Sequence, residues 1–142
     1  MQVVWGLVVT ALALLCWGGQ LLSLLSASTA ERFSLTELEA DVEPAFYADV
    51  RGEALWDTLT LWVLAAAGVL LVVDDGAWPY FGLVGGAVYV YFAGRGVVVR
   101  REMQRRGLRA GSAESLKAAS IMLPVWGVTG LVTLIAAIVN LT

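Results

Sequence analysis

Two charged residues lie inside apolar stretches of the sequence, and their positions favour an ion pair. Asp57 occurs in ALWDTLTLWVLAAAGVLLVV and Arg95 in AWPYFGLVGGAVYVYFAGRGVVV. A charge at membrane depth is costly and usually faces the protein interior or a partner. Asp57 lies 19 positions before Gly76 and Arg95 lies 19 after it. At about 1.5 Å per helical residue, both lie roughly 28 Å from that turn.

We therefore predict that Asp57 and Arg95 form a structural ion pair that locks a helical hairpin around Gly76. Two alternatives stay open. In the first alternative, the pair belongs to a proton or ion relay. In the second, the two side chains reach the membrane surface separately and never meet.

Other side chains that carry chemistry are scarce. The chain has no His and a single Cys, Cys16, which lies in an apolar run. Haem needs an axial His, Met, Cys or Tyr, and zinc or iron–sulfur sites need clusters of Cys and His. No nucleophile with an acid or base partner can be assembled from these residues. We predict no enzyme activity, no catalytic residue, no cofactor and no metal site.

The segments that must position these residues have membrane length. Of 142 residues, 59 % are hydrophobic and 15 % charged, which is far more apolar than a soluble domain. A helix needs about 20 apolar residues to cross the hydrocarbon, and the segments that meet this length are about 3–25, 54–73, 77–99 and 118–140. We expect the first to be a retained helix, because no Lys or Arg precedes it as in a signal peptide. The predicted fold class is all-α transmembrane, a four-helix bundle forming one integral membrane domain over 1–142.

The basic residues indicate an orientation. The stretch 100–117 holds six of the nine Lys and Arg, and cytoplasmic loops retain positive charge. We place this stretch and the loop 26–53 in the cytoplasm, and both termini outside the plasma (inner) membrane. No aromatic–basic platform accompanies the charges, so we expect no nucleic-acid partner. The predicted cytoplasmic basic loop contains Arg100, Arg101, Arg105, Arg106 and Arg109.

The loop 26–53 is acidic and carries a helix signal. Ser34 and Glu37 have the spacing of a capping box, and Leu35, Leu38 and Val42 recur at helical spacing. We predict a short amphipathic cytoplasmic helix over 34–43, between the first and second membrane helices, which Pro44 ends.

We expect this helix to fold back towards Arg101, Arg105 or Arg109, because the two loops carry opposite charge on one side of the membrane. The alternative is that the acidic loop is solvated and the basic loop meets lipid headgroups.

Small residues mark a packing face on the third helix. Gly82 and Gly86 form a small-xxx-small step, and Ala93 extends the same face. Such faces allow helix backbones to approach closely in lipid. We expect packing within the bundle, with contact to another subunit as the alternative.

Several aromatic residues lie deep in the apolar segments. We expect them to pack against neighbouring helices, and a pigment, quinone or lipid pocket is the alternative. These residues are Trp17, Trp62, Trp126, Tyr89 and Tyr91.

One segment resembles a known family. ALWDTLTLWVLAAAGVLL is similar to a helix in subunits of multisubunit cation/proton antiporters, where an Arg–Asp–Thr pattern opens an apolar helix. In this chain Arg51 and Asp57 lie farther apart than in that pattern, and the resemblance covers only this segment. It therefore implies no function for the whole chain.

The absence of catalytic groups, together with the small-residue and aromatic faces, favours a non-catalytic accessory, assembly or scaffold subunit of a larger membrane complex. Its expected partners are membrane lipids and either other membrane protein subunits or further copies of the chain. A small oligomeric transporter or channel is the alternative, and a sensor or regulator is a third possibility.

Overall fold

The computed structural model describes residues 1–33 and 35–142, and this part of the chain is helical without any β-strand. Its α-helices are α1 (Gln2–Leu25), α2 (Ala27–Arg32), α3 (Pro44–Thr60), α4 (Trp62–Val72), α5 (Trp78–Arg105) and α6 (Ala113–Leu141). Four stretches are long and apolar enough to cross a membrane, with α3 and α4 counted together as Pro44–Val72. The predicted all-α class with four membrane-length helices is confirmed.

The second membrane-length helix begins ten residues earlier than predicted. Pro44 is its first residue instead of the end of a preceding helix. Proline suits this position because its missing N–H would have no partner in the first turn of a helix. The helix then passes from α3 into α4 at Leu61, whose N–H donates to the Asp57 carbonyl oxygen at 2.8 Å.

The short amphipathic helix predicted over 34–43 is not present in the described residues. Ser34 lies outside them, and residues 35–43 contain only a 3-10 turn at Glu39–Asp41. The backbone of this segment pairs with the second loop instead, since Glu43 N–H donates to the Arg109 carbonyl oxygen at 2.9 Å. Val42 and Ala110 form an isolated antiparallel bridge beside it. Pairing between the loops thus replaces the hydrogen bonds of a local helix.

The two loops meet at one end of the helices, which we call the loop end. The Arg109 guanidinium donates to the Ala40 carbonyl oxygen at 2.8 Å and lies 3.4 Å from a Glu43 carboxylate oxygen. A second ion pair joins Arg100 to Glu37. The expected contact between the acidic and basic segments is therefore present, but an irregular segment makes it.

The opposite end, the terminal end, gathers both termini and the turn between α4 and α5. The Gln2 side chain donates to the Asp74 carboxylate at 3.2 Å. Leu71, Trp78 and Ala137 form a small buried cluster there, which joins α4, α5 and α6. Asp74 has a φ of 56°, a left-handed conformation that Asp tolerates better than most residues.

The helix α5 is held between α4 and α6 by adjacent glycines. A Cβ at Gly85 would lie 2.6 Å from the Leu64 backbone nitrogen on α4. A Cβ at Gly86 would lie 2.7 Å from the Gly130 carbonyl oxygen on α6. Neither distance leaves room for a side chain, so the two neighbouring helices touch the α5 backbone itself.

The small-residue face singled out in the sequence lies against α6. A Cβ at Gly82 would be 3.2 Å from the Ala137 Cβ, and the Ala93 Cβ is 3.0 Å from where a Gly127 Cβ would lie. Together with Gly86, these residues pack within the chain, at the contact between α5 and α6.

We predict that Gly86→Ala destabilises the protein by about 1–3 kcal/mol, because the added methyl group meets backbone that cannot move without separating α5 from α6. Gly94→Ala is the matched control on the same helix, where a Cβ meets nothing within 4 Å. It should be neutral or stabilising by up to about 1 kcal/mol. Unfolding in mild detergent measures both, and equal stability of the two variants would contradict the prediction.

Candidate functional site

Three carboxylates follow one another along a single face of α3. Asp49, Glu53 and Asp57 are spaced four residues apart, so they lie on successive turns of the helix. This face is turned towards α5, where Arg95 lies. The helix therefore presents an acidic row that runs from the loop end towards membrane depth.

Arg95 pairs with the outer two members of this row. Its guanidinium lies 2.8 Å from the Asp49 carboxylate and also forms an ion pair with Glu53. No ion pair joins it to Asp57 within the described ranges, so the predicted pairing is corrected. A long Arg side chain extends towards the polar end of a membrane helix, and there it reaches two partly exposed carboxylates.

Asp57 lies deeper along α3 than the other two carboxylates and has no ion-pair partner in the described residues. Only 6 % of its surface is exposed, and its Oδ2 has no hydrogen-bond partner among the residues described. A buried polar atom without a partner costs free energy, more so when it is charged. The arrangement thus leaves one hydrogen-bond acceptor unsatisfied inside a membrane-length helix.

A cavity of about 450 Å³ lies beside this carboxylate, between α3 and α5. We call it the charged groove; Asp49, Glu53, Asp57 and Arg95 line it. Trp56 and Tyr91 also line it, and they are 65 % and 68 % exposed. The groove is therefore open laterally, on the outer surface of α3 and α5.

A second cavity, of about 340 Å³, lies between α1, α5 and α6 at the loop end. We call it the inner cavity. The segment 35–37 contributes to its wall. Its polar lining includes Gln20, Thr36, Glu37, Arg100 and Ser115, and its apolar lining includes Leu15, Phe92, Met122, Leu123 and Trp126.

Arg100 is the central group at the polar end of the inner cavity. Its Nη2 pairs with Glu37, which is 8 % exposed, and its Nη1 donates to the Gly96 carbonyl oxygen at 3.2 Å. The guanidinium also lies over the Phe46 ring, 5.4 Å from its centroid. Its Nε is buried and has no partner in the described part of the chain. Sequence reasoning assigned this residue only to a basic loop.

The other predicted basic-loop residues lie on the last turns of α5 or beyond it. The helix continues to Arg105, so only part of the predicted loop is irregular. Arg105 and Arg106 pair with Glu102 of their own helix at 2.8 and 2.7 Å, and Arg101 is exposed.

Deep aromatic side chains donate hydrogen bonds between helices. Trp17 Nε1 donates to the Thr58 carbonyl oxygen at 2.8 Å. The Tyr89 hydroxyl donates to the Ala13 carbonyl oxygen at 3.1 Å, and Trp126 Nε1 donates to the Leu12 carbonyl oxygen at 3.0 Å. All three bonds involve α1, so they tie this helix to α3, α5 and α6. The sequence shows the donors, but nothing in it indicates which carbonyl each one meets.

The polar side chains that line both cavities can form ion pairs and hydrogen bonds. Across the described ranges, no three His, Cys, Asp or Glu residues are placed to hold a metal ion. Comparisons with protein-family models, curated proteins and solved structures found no match to this chain.

We predict that Arg95 is energetically coupled more strongly to Glu53 than to Asp57. In a double-mutant cycle, Arg95→Gln with Glu53→Gln should give a coupling of roughly 0.5–3 kcal/mol, because the two groups are in contact. The matched cycle of Arg95→Gln with Asp57→Asn should give a smaller coupling, because no ion pair joins these two residues in the described part of the chain. Unfolding in detergent provides both values, and a larger coupling to Asp57 would contradict the structure.

Proposed function

We propose that this protein is a non-catalytic accessory subunit of a larger membrane complex, and that a neighbouring subunit covers the charged groove. The observation that carries the proposal is the Asp57 carboxylate, whose Oδ2 is buried and unpartnered beside a laterally open cavity. A donor from a neighbouring helix that reaches into the groove would satisfy this oxygen once the carboxylate turns towards the groove.

The cost of leaving the groove to lipid supports this view. The groove is lined by three carboxyl groups and a single guanidinium. Arg95, Asp49 and Glu53 are all partly exposed. Hydrocarbon offers Asp57, the deepest of these groups, no hydrogen bond, and charged side chains at depth usually face protein or water. A protein surface that supplies donors removes this cost.

The rim of the groove suits a protein contact. Trp56 and Tyr91 present large exposed rings on either side of the acidic row. Aromatic residues are enriched at protein–protein contacts, where they provide broad apolar area beside polar groups. The rim would thus supply the apolar area of the contact and the row its polar centre.

A different subunit fits the groove better than a second copy of the chain. The acidic row calls for a basic donor at membrane depth, because a charge inside the membrane usually pairs with an opposite charge. Arg95 is the only Lys or Arg in the apolar segments of this chain, and it is already paired. A further copy therefore has no free basic group to offer at that level.

We predict that a photoreactive amino acid in place of Tyr91 crosslinks to one defined membrane subunit in native membranes. The same substitution at Val128, an exposed residue of α6, is the control and should give no such product. Adding Asp57→Asn should lower the yield at position 91 by about tenfold or more, because hydrogen bonds to charged groups are among the stronger ones.

Equal products at both positions, or a yield unaffected by Asp57→Asn, would contradict this function. Crosslinking to the chain itself would indicate an oligomer instead. Proton or cation flux through liposomes that contain only the purified chain would favour the transporter alternative.

We further propose that the four long helices form a bundle in the plasma membrane, with the loop end in the cytoplasm and both termini outside. The support is the concentration of six of nine Lys and Arg in 100–117, at the loop end.

In a Cys16→Ser background, we predict that Leu108→Cys is protected from an impermeant maleimide in intact cells and reacts after permeabilisation. Gly76→Cys, in the turn at the terminal end, should react in intact cells. This glycine has open space around it, so the substitution should be tolerated. Labelling of Leu108→Cys in intact cells would contradict this orientation and indicate the opposite one.

A further inference from the structure

The inner cavity changes from polar to apolar along the direction of the helices. On α5 its lining runs from Arg100 to Phe92, a helical rise of about 12 Å. On α6 the lining runs from Ser115 to Trp126, a rise of about 16 Å. A polar end followed by an apolar end is the shape of a site for an amphiphilic molecule.

Two buried polar atoms at the polar end lack partners. They are Arg100 Nε and Thr36 Oγ1, and no hydrogen-bond partner is found for either in the described part of the chain. An Arg Nε–H can only donate, and a Thr hydroxyl can donate as well. Both residues line the inner cavity, so an acceptor inside it would satisfy these two atoms once the side chains turn them towards it.

The charge of the lining favours an uncharged acceptor. Glu37 and Glu53 both line the cavity, and their charges are offset by Arg100 and Arg95. A phosphate would face two carboxylates and would have to compete with Glu37 for the Arg100 guanidinium. A carbonyl oxygen accepts from the free Nε–H without disturbing either ion pair.

The lining of the inner cavity reaches the outer surface of α1 and α6, where Leu15 and Ala118 are exposed. Leu15 lines it and is 54 % exposed, so the lining reaches the outer surface there. The small residues Gly19, Ala118 and Ala119 line the same side. The hydrogen bond from Trp126 to Leu12 joins α1 and α6 at the deep end. A molecule can therefore enter from the membrane without passing through the loops.

We propose that the inner cavity binds an uncharged amphiphile that carries a carbonyl acceptor at the end of an apolar chain. Diacylglycerol esters and isoprenoid quinones share this chemistry. The carbonyl accepts from Arg100 Nε–H and Thr36 Oγ1–H, and the chain passes Phe92, Leu123 and Trp126. This site lies next to the charged groove, with which it shares Glu53 and Phe92, and the chemistry of the site does not require a partner subunit.

Native mass spectrometry of the purified protein in detergent tests the proposal. The protein is titrated separately with decylubiquinone, with dioleoylglycerol and with anionic dioleoylphosphatidylglycerol. We expect saturable binding of one molecule of at least one uncharged probe, and weaker binding of the anionic lipid. The two uncharged probes distinguish a quinone from a lipid ester as the source of the carbonyl.

Variants locate the site. Ala119→Phe fills the cavity and should weaken binding of the uncharged probe by about tenfold or more, because a bulky ring displaces the ligand. Ala87→Phe adds the same ring at an exposed position of α5 and should leave binding unchanged. Thr36→Val and Arg100→Lys should each weaken binding by about three- to tenfold, since each removes one donor.

Absence of saturable binding of both uncharged probes would overturn the proposal. So would tighter binding of the anionic lipid, or equal binding by Ala119→Phe and Ala87→Phe. If Ala119→Phe does not fold, Met122→Trp fills the same cavity from the same helix and decides the question in its place.

Discussion

The close approach of α5 to both of its neighbours is the constraint on which the rest of the structure depends. In lipid no hydrophobic force drives helices together, so backbone contact and hydrogen bonds must do so. Gly85 and Gly86 place bare backbone against α4 and α6 on two sides of one helix. With α5 held there, Tyr89 reaches α1, and Arg95 and Arg100 each come to line one of the two cavities.

Polar atoms in this apolar chain are satisfied almost entirely by the protein itself. The ion pairs gather at the loop end, and the deep side chains of Tyr89 and Trp126 donate to carbonyl oxygens on α1. The exceptions are therefore informative. Of the few buried polar side-chain atoms without a partner in the described residues, three belong to residues that line a cavity, namely Asp57, Thr36 and Arg100. The unsatisfied chemistry coincides with the available space, which is what sites for external groups require.

Local properties of the chain were predictable, and properties that depend on distant neighbours were not. Helix number follows from apolar length, which each segment carries in itself. The start at Pro44 was missed because proline both ends and begins helices, and Glu43 is held in place by Arg109, far away in sequence. That error placed Asp49 and Glu53 in a loop, so Asp57 remained the only visible partner for Arg95. The cavities depend on contacts between α1, α3, α5 and α6, which no periodicity reveals.

Glu53 and Phe92 line both the charged groove and the inner cavity, so these two spaces share a wall. A side chain adopts one rotamer at a time, and whatever holds it from one side limits its freedom on the other. An occupant that favours one rotamer of Glu53 from one side would therefore change affinity on the other side, and such a linkage is reciprocal. A neighbouring subunit that orders Glu53 would change the affinity of the inner cavity for its ligand by some factor. That ligand would change the affinity of the neighbouring subunit for the groove by the same factor.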